Sequence, residues 1–320
     1  MRTSRLPVRR EEPDGYGQSP SPSWRDTDWS SIVKSVVVDG LRVNYVDVGD
    51  RTSPTVCLLL HGIGNSWHFW LETLGPLSRS ARAIALDLPG FGDSESARGR
   101  LTAVAAGRHV ERFCQTLELG PVAVCGHSMG ALVAVSMATE HPHRVERLLL
   151  VAGSLLSIIN VYEHPLRSLP RSASPLFTLA VGAATAVLPS PAAVRRLVLG
   201  NRILRALFLW RFVQFPGRLD AALLVGALSG LGRIAVARAI KSGLGYDYRA
   251  AIARLESVHV LNGDRDRQVP IRDVEEFASL CPLAEVVVLA ETGHWPMLER
   301  PRFFNRWILQ SLGVDGGDGV

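Results

Sequence analysis

Pro121-Val122-Ala123-Val124-Cys125-Gly126-His127-Ser128-Met129-Gly130-Ala131, running on through Leu132 to Thr139, is the stretch whose reading decides the fold. Pro121 to Cys125 is a short apolar run, and Ala131 to Thr139 has the small-residue pattern of a buried helix. Between them lies Gly-x-Ser-x-Gly. So short a pattern recurs by chance, but a strand–turn–helix setting gives it physical content. The sharp turn forces its central residue into a strained backbone geometry that neighbouring side chains would obstruct, hence glycine two positions to either side. Ser128 then projects from the sheet edge at the amino end of a helix, whose dipole favours nearby negative charge. Such a serine is a candidate nucleophile.

Outward from this stretch the same grammar repeats. Val36-Val37-Val38, the turn Asp39-Gly40, and Leu41 to Val48 with alternating apolar positions read as a β-hairpin. Apolar runs follow at Thr55 to Leu60, Ala83 to Leu86, Val122 to Cys125, Leu148 to Val151, Val258 to Leu261 and Val286 to Leu289. Runs apolar on both faces suit parallel strands covered by helices on both sides. The expectation is an α/β fold with a mostly parallel, eight-stranded sheet flanked by helices.

One interval breaks the rhythm. Roughly a hundred residues separate Val151 from Val258, where a sheet connection usually takes far fewer. The interval is rich in Leu, Ala and Val, and carries Arg167, Arg171, Arg195, Arg196, Arg202, Arg205, Arg211, Arg218, Arg233, Arg238, Lys241 and Arg249 against Glu163, Asp220 and Asp247. Residues 154–250 are therefore expected to form a helical cap inserted into a core of residues 31–153 and 251–314. Within the cap, Leu176 to Leu188 is too short to span a bilayer and is bounded by Pro175 and Pro189. Ile203 to Phe215 mixes Leu, Phe and Trp with Arg205 and Arg211. Such helices either bury their apolar faces against the core, or build a lipophilic acyl pocket with an arginine-rich rim resting peripherally on an anionic membrane.

Serine is a poor nucleophile without an adjacent base. Of nine histidines, His294 lies in Glu291-Thr292-Gly293-His294-Trp295-Pro296, a loop directly after the last strand and therefore at the carboxyl edge expected for Ser128. A carboxylate to orient it should follow another strand. Leu261-Asn262-Gly263-Asp264-Arg265-Asp266-Arg267-Gln268-Val269-Pro270 offers two: Asp266 lies deep enough in its loop to turn towards His294, whereas Asp264 follows the glycine and suits a turn cap. His61-Gly62-Ile63-Gly64 follows the run ending at Leu60, so the backbone N–H groups of Ile63 and Met129 are candidate oxyanion donors, although a histidine–glycine pair there could equally be a structural turn.

Taken together, these features resemble the α/β-hydrolase family across about residues 35–312, with the cap as the variable part. The order Ser128, Asp266, His294 matches that family's order. Asp87-Leu88-Pro89-Gly90-Phe91-Gly92-Asp93-Ser94 resembles the turn after its fourth strand, and Gly293-His294 through Glu299-Arg300-Pro301 resembles its histidine loop; the resemblance gives Asp87, Asp93 and Glu299 scaffold roles through turn and cap hydrogen bonds. Related haloalkane dehalogenases and epoxide hydrolases carry aspartate where this chain has Ser128, which argues against those two activities. The resemblance implies a serine hydrolase acting through an acyl-enzyme. Its expected substrate is a carboxylic ester with an apolar acyl chain; the alternatives are cofactor-free hydrolysis of a C–C bond in a ring-cleavage product, or a binding protein that keeps the fold without turnover.

Composition narrows the remainder. The chain has 320 residues, 47% of them hydrophobic and 20% charged, with a net charge of +5. That is an ordinary globular balance, and no basic-and-aromatic interleaving points to nucleic acid. No cofactor or metal is expected. Cys57, Cys114, Cys125 and Cys281 form no CxxC pair and read as buried thiols. Residues 1–30, rich in Arg, Pro, Ser, Gly and Asp, read as a disordered or loosely docked arm. They lack the apolar stretch of a secretory signal, which makes the cytoplasm the expected location.

Overall fold

The structure is a computed structural model that describes residues 8–11, 15–17, 23–96, 102–154, 156–163, 192–231 and 245–314. Strands and helices alternate along the chain: β1 (Val8–Glu11), β2 (Val33–Val38), β3 (Leu41–Val48), β4 (Val56–Leu60), α1 (Leu71–Ser78), β5 (Arg82–Leu86), α2 (Ala103–Thr116), β6 (Val122–His127), α3 (Met129–Glu140) and β7 (Val145–Val151). Then come α4 (Leu156–Glu163), α5 (Ala192–Gly200), α6 (Arg202–Leu209), α7 (Ala221–Ala227), β8 (Val258–Gly263), α8 (Ile271–Leu280), β9 (Glu285–Leu289) and α9 (Pro301–Leu312). The strands form one sheet in the order β1-β9-β8-β7-β6-β4-β5-β3-β2. Among the described strands, only the β2–β3 and β3–β5 pairings are antiparallel.

The expected α/β-hydrolase sheet is present, and its first hairpin turns where Asp39 and Gly40 both take positive φ, 51° and 76°. That is the pairing a two-residue turn matched to strand twist requires. The double-sided burial of the central strands explains why they read as unbroken apolar runs. Alternate residues point to opposite faces. Leu58, Leu60, Val122, Val124, Leu148 and Leu150 pack with α2, α3 and α8 on one side. Cys57, Leu59, Ala123, Cys125, Leu149 and Val151 pack with α1 and α9 on the other. All four cysteines are buried and unbridged.

The eight expected strands gain a ninth, which comes from the amino-terminal arm. Within residues 1–30, expected to be disordered or loosely docked, Val8–Glu11 pairs in parallel with β9, from Val8 opposite Val286 to Glu11 opposite Leu289. Tyr16, farther along the arm, is buried. Composition reports how much apolar surface a segment can bury, but edge pairing is made by backbone groups that every residue carries.

The described residues between β7 and β8 are largely helical, in α4 to α7 and the short helix Tyr248–Ile252. The Leu176 to Leu188 run, Arg167, Arg171, Arg233, Arg238 and Lys241 lie outside the described residues. The register of the parallel strands brings their carboxyl ends level: Leu60 lies opposite Gly126, His127 opposite Val151, and Gly263 opposite Leu289. Loops leaving those ends therefore share one rim, the usual site of chemistry in open α/β sheets.

Candidate active site

The turn after β6 carries Ser128 at φ 53° and ψ −119°. A non-glycine residue there costs about 1–3 kcal/mol and persists only where its surroundings over-determine it. They do so here. Ser128 N donates to Val151 O at 3.0 Å. A Cβ on Gly126 would sit 2.4 Å from Gly130 O, and one on Gly130 would sit 2.3 Å from Leu60 O and 2.7 Å from His61 O. Only glycines let the turn close on itself and on the end of β4. That close approach presses the start of α3 against the loop carrying Gly62 and Ile63. Met129 is the first residue of α3, so its N–H is one of the four that a helix leaves without an internal partner.

His294 arrives from the loop after β9. Its Nε2 lies 3.0 Å from Ser128 Oγ, and its Nδ1 lies 2.7 Å from Asp266 Oδ2. A carboxylate only accepts, so Nδ1 carries the proton and Nε2 is left to accept from the serine hydroxyl. Asp266 is held in turn, its Oδ1 accepting from the backbone N–H of Gln268 at 2.7 Å and of Val269 at 2.9 Å. Asp264 stands apart from this chain of bonds. It accepts from Thr292 N at 3.4 Å, and its own N–H donates to Leu289 O at 2.9 Å. Ser128, Asp266 and His294 are all buried. The structure thus brings together three side chains that are up to 166 positions apart in sequence.

A family model for the alpha/beta hydrolase fold matches residues 55–301, which span the elbow and both loops. The chain belongs to the α/β-hydrolase fold family. It is 28% identical over 304 residues to a dihydrolipoyllysine-residue acetyltransferase component of the acetoin cleaving system of Cupriavidus necator, covering 92% of this chain and 73% of that protein. It is 34% identical over 128 residues to a 2-hydroxy-6-oxo-2,4-heptadienoate hydrolase of Pseudomonas putida, covering 39% of this chain and 45% of that one. Among solved structures, a bacterial membrane phospholipase A superposes with a TM-score of 0.64 at 22% identity, over 92% of this chain and 91% of the other.

As an α/β-hydrolase, this chain surrounds its histidine with partners that no motif announces. His127 donates from Nε2 to the carbonyl of His294 at 2.9 Å, tying the histidine loop to the elbow. Burial holds the His127 imidazole well below its ordinary pKa, so it stays neutral. His61 is likewise pushed down to about 4 by burial. Its Nε2 accepts from Leu88 N at 3.0 Å, which leaves Nδ1 to donate to Gly62 O at 2.7 Å. His61 therefore anchors the loop that carries Ile63.

Glu299 is the larger anchor. Its carboxylate is fully buried and accepts four bonds: Tyr16 OH at 2.7 Å, Gln214 N at 2.8 Å and Gly293 N at 2.9 Å on Oε2, and Trp295 N at 3.0 Å on Oε1. Two of those donors flank His294. A third belongs to the segment after α6, and the fourth to the amino-terminal arm. Burial raises the pKa of Glu299 against the pull of its donors. The segment after α6 also bonds the site loops directly. Phe212 O accepts from His294 N at 2.6 Å, and Trp210 O accepts from Arg267 Nη1 at 2.7 Å. Asp87, expected to serve the scaffold, accepts from Trp67 N, Asn44 Nδ2 and Asp93 N at 2.8 to 2.9 Å, tying the loop after β4 to the loop after β5.

Proposed function

We propose that this α/β-hydrolase cleaves a carboxylic ester of a lipophilic substrate through an acyl-enzyme on Ser128. The observation that carries the reading is the continuous hydrogen-bond relay from Asp266 through His294 to the serine hydroxyl. In the first half-reaction His294 Nε2 takes the proton from Ser128 Oγ as the oxygen attacks the ester carbonyl. The carbonyl oxygen gains a full negative charge, which the N–H groups of Ile63 and Met129 stabilise from fixed positions in a dry site. His294 then gives its proton to the leaving alcohol. In the second half-reaction His294 takes a proton from water, the hydroxide attacks the acyl carbon, and Ser128 departs with the proton returned. Asp266 keeps the imidazole in the tautomer both halves require and stabilises the imidazolium between them.

The lipophilic part of the reading rests on what packs around the rim. Trp67, Phe69 and Trp295 are buried beside Leu223, Leu224, Ala227 and Leu228, which come from α7 and the residue after it. An acyl chain entering there meets aliphatic and aromatic side chains. On this reading the helical interval between β7 and β8 is a cap over the site.

A panel of p-nitrophenyl esters of increasing acyl length tests the proposal. Turnover should favour apolar chains over acetate and vanish in Ser128→Ala. A second reading has one observation in its favour, the 34% identity over 128 residues with the Pseudomonas putida dienoate hydrolase. In that case His294 and Ser128 would serve hydrolysis of a C–C bond in a vinylogous diketone. Negligible ester turnover with hydrolysis of such a diketone would select it.

A further inference from the structure

Helix α6 buries Leu209 beside an arginine and leaves further apolar side chains on its outer side. Arg205 is buried, 8% exposed, with its guanidinium donating to Leu199 O at 2.9 Å and to Gly217 O at 3.4 Å. On the opposite side Ile203 and Leu207 are 71% and 68% exposed, with Trp210 at the helix end nearly half exposed. A helix that only covers a core in water keeps its outer side polar. The neighbouring α5 adds exposed Val194 and Leu197. The outer surface of α6 holds an open groove of about 520 Å³ lined by Arg202, Ile203, Ala206, Leu207 and Trp210. Exposed apolar surface such as that lining this groove marks an interaction site.

The charge around the patch selects the partner. Residues 192–219 contain six arginines, at 195, 196, 202, 205, 211 and 218, and no aspartate or glutamate. Arg196, Arg202 and Arg218 are exposed. A second copy docked through the same segment would offer its arginines no carboxylate from residues 192–219, since a two-fold interface sets the same patch against itself. A sheet of anionic headgroups over hydrocarbon satisfies both features at once, since the guanidinium groups meet phosphates while Ile203, Leu207 and Trp210 enter the acyl boundary. No described helix is long and apolar enough to cross a membrane.

We infer that the outer face of α5 and α6 docks on an anionic phospholipid surface. The patch also leads into the site. Trp210 borders the groove, its carbonyl holds Arg267, and two residues on Phe212 O holds His294 N. Docking would thus place the segment that braces the catalytic loops at the lipid boundary. This last point rests on the esterase reading; the docking itself does not.

Sedimentation of the full chain with phosphatidylglycerol vesicles, beside phosphatidylcholine vesicles, tests it. The Ser128→Ala protein is used in parallel, so that binding and turnover succeed or fail separately. Partition into phosphatidylglycerol should exceed partition into phosphatidylcholine and weaken as salt is raised. Arg196→Gln with Arg202→Gln should lower it about thirtyfold. Ile203→Ser and Leu207→Ser should each lower it on the order of tenfold. All four side chains are exposed, and unchanged far-ultraviolet dichroism checks that the variants fold. Absence of binding to phosphatidylglycerol at low salt overturns the proposal, as does equal binding to both lipids. Self-association abolished by Leu207→Ser, without vesicle binding, would assign the face to a second copy instead.

Discussion

Glu299→Gln separates the charge of one buried anchor from its size. The carboxylate faces four donors with two oxygens, three of them on Oε2 and one on Oε1. The glutamine amide keeps one oxygen, which can satisfy the Tyr16, Gln214 and Gly293 side. Its NH2 must then face Trp295 N–H, donor against donor, in a position with no exposure to water. Leaving that N–H unsatisfied costs about 1–3 kcal/mol, and converting three charge-assisted bonds to neutral ones costs more. The net loss should be about 2–4 kcal/mol, lowering the melting temperature by roughly 5–10 °C. Gly293 and Trp295 bracket His294, so the imidazole loses its seat as well, and kcat/KM for a p-nitrophenyl ester should fall by about tenfold or more. Differential scanning fluorimetry and steady-state kinetics on the one variant read both effects. A variant with unchanged melting temperature and unchanged kcat/KM would refute the claim that Glu299 braces the histidine loop.

Other expectations follow from the same contacts. In Asp266→Asn the two backbone donors on Oδ1 retain the amide oxygen, so the NH2 faces His294 Nδ1 and reverses its tautomer; kcat should fall on the order of 10⁴ with the fold intact, read by kinetics beside circular dichroism. Tyr16→Phe removes a hydroxyl that donates to Glu299 and accepts from Phe215 N at 2.8 Å, and should cost about 1–3 kcal/mol in urea denaturation with a smaller effect on kcat. Asp273 on α8 accepts from the N–H and hydroxyl of Ser157, at the start of α4, and burial raises its pKa from 3.8 to about 6. The folded chain then binds the proton more tightly than the unfolded one, so this group's contribution is greatest below about pH 4 and declines as pH rises through 6. The melting temperature of the wild type, measured relative to Asp273→Asn, should therefore drop between pH 4 and pH 6.5; a flat or rising difference would contradict it.

The central sheet was legible because strands buried on both faces leave unbroken apolar runs such as Leu148 to Val151. That Ser128, Asp266 and His294 meet was legible because each follows one of those runs, and the carboxyl ends of parallel strands share one rim. The arm was not. Val8–Glu11 pairs with β9 through backbone groups, which composition does not report, and Tyr16 reaches Glu299 across 283 positions. Nor could a sequence show that the carbonyl of Phe212 seats His294, since every residue carries a carbonyl. The Ile203 to Phe215 segment carried two readings, core packing and a rim resting on a membrane, and the second stays a proposal. Leu209 and Val213 pack inward, while Ile203, Leu207 and Trp210 face out. Apolar content alone could not assign those sides, because apolar residues occur on both sides of the helix.

Intact-mass analysis after treatment with a fluorophosphonate addresses the activated serine directly. One adduct, mapped to Ser128 and formed at a rate that collapses in His294→Ala, is the predicted result. Folded wild-type protein that stays unmodified, or is modified equally fast without His294, would contradict the account.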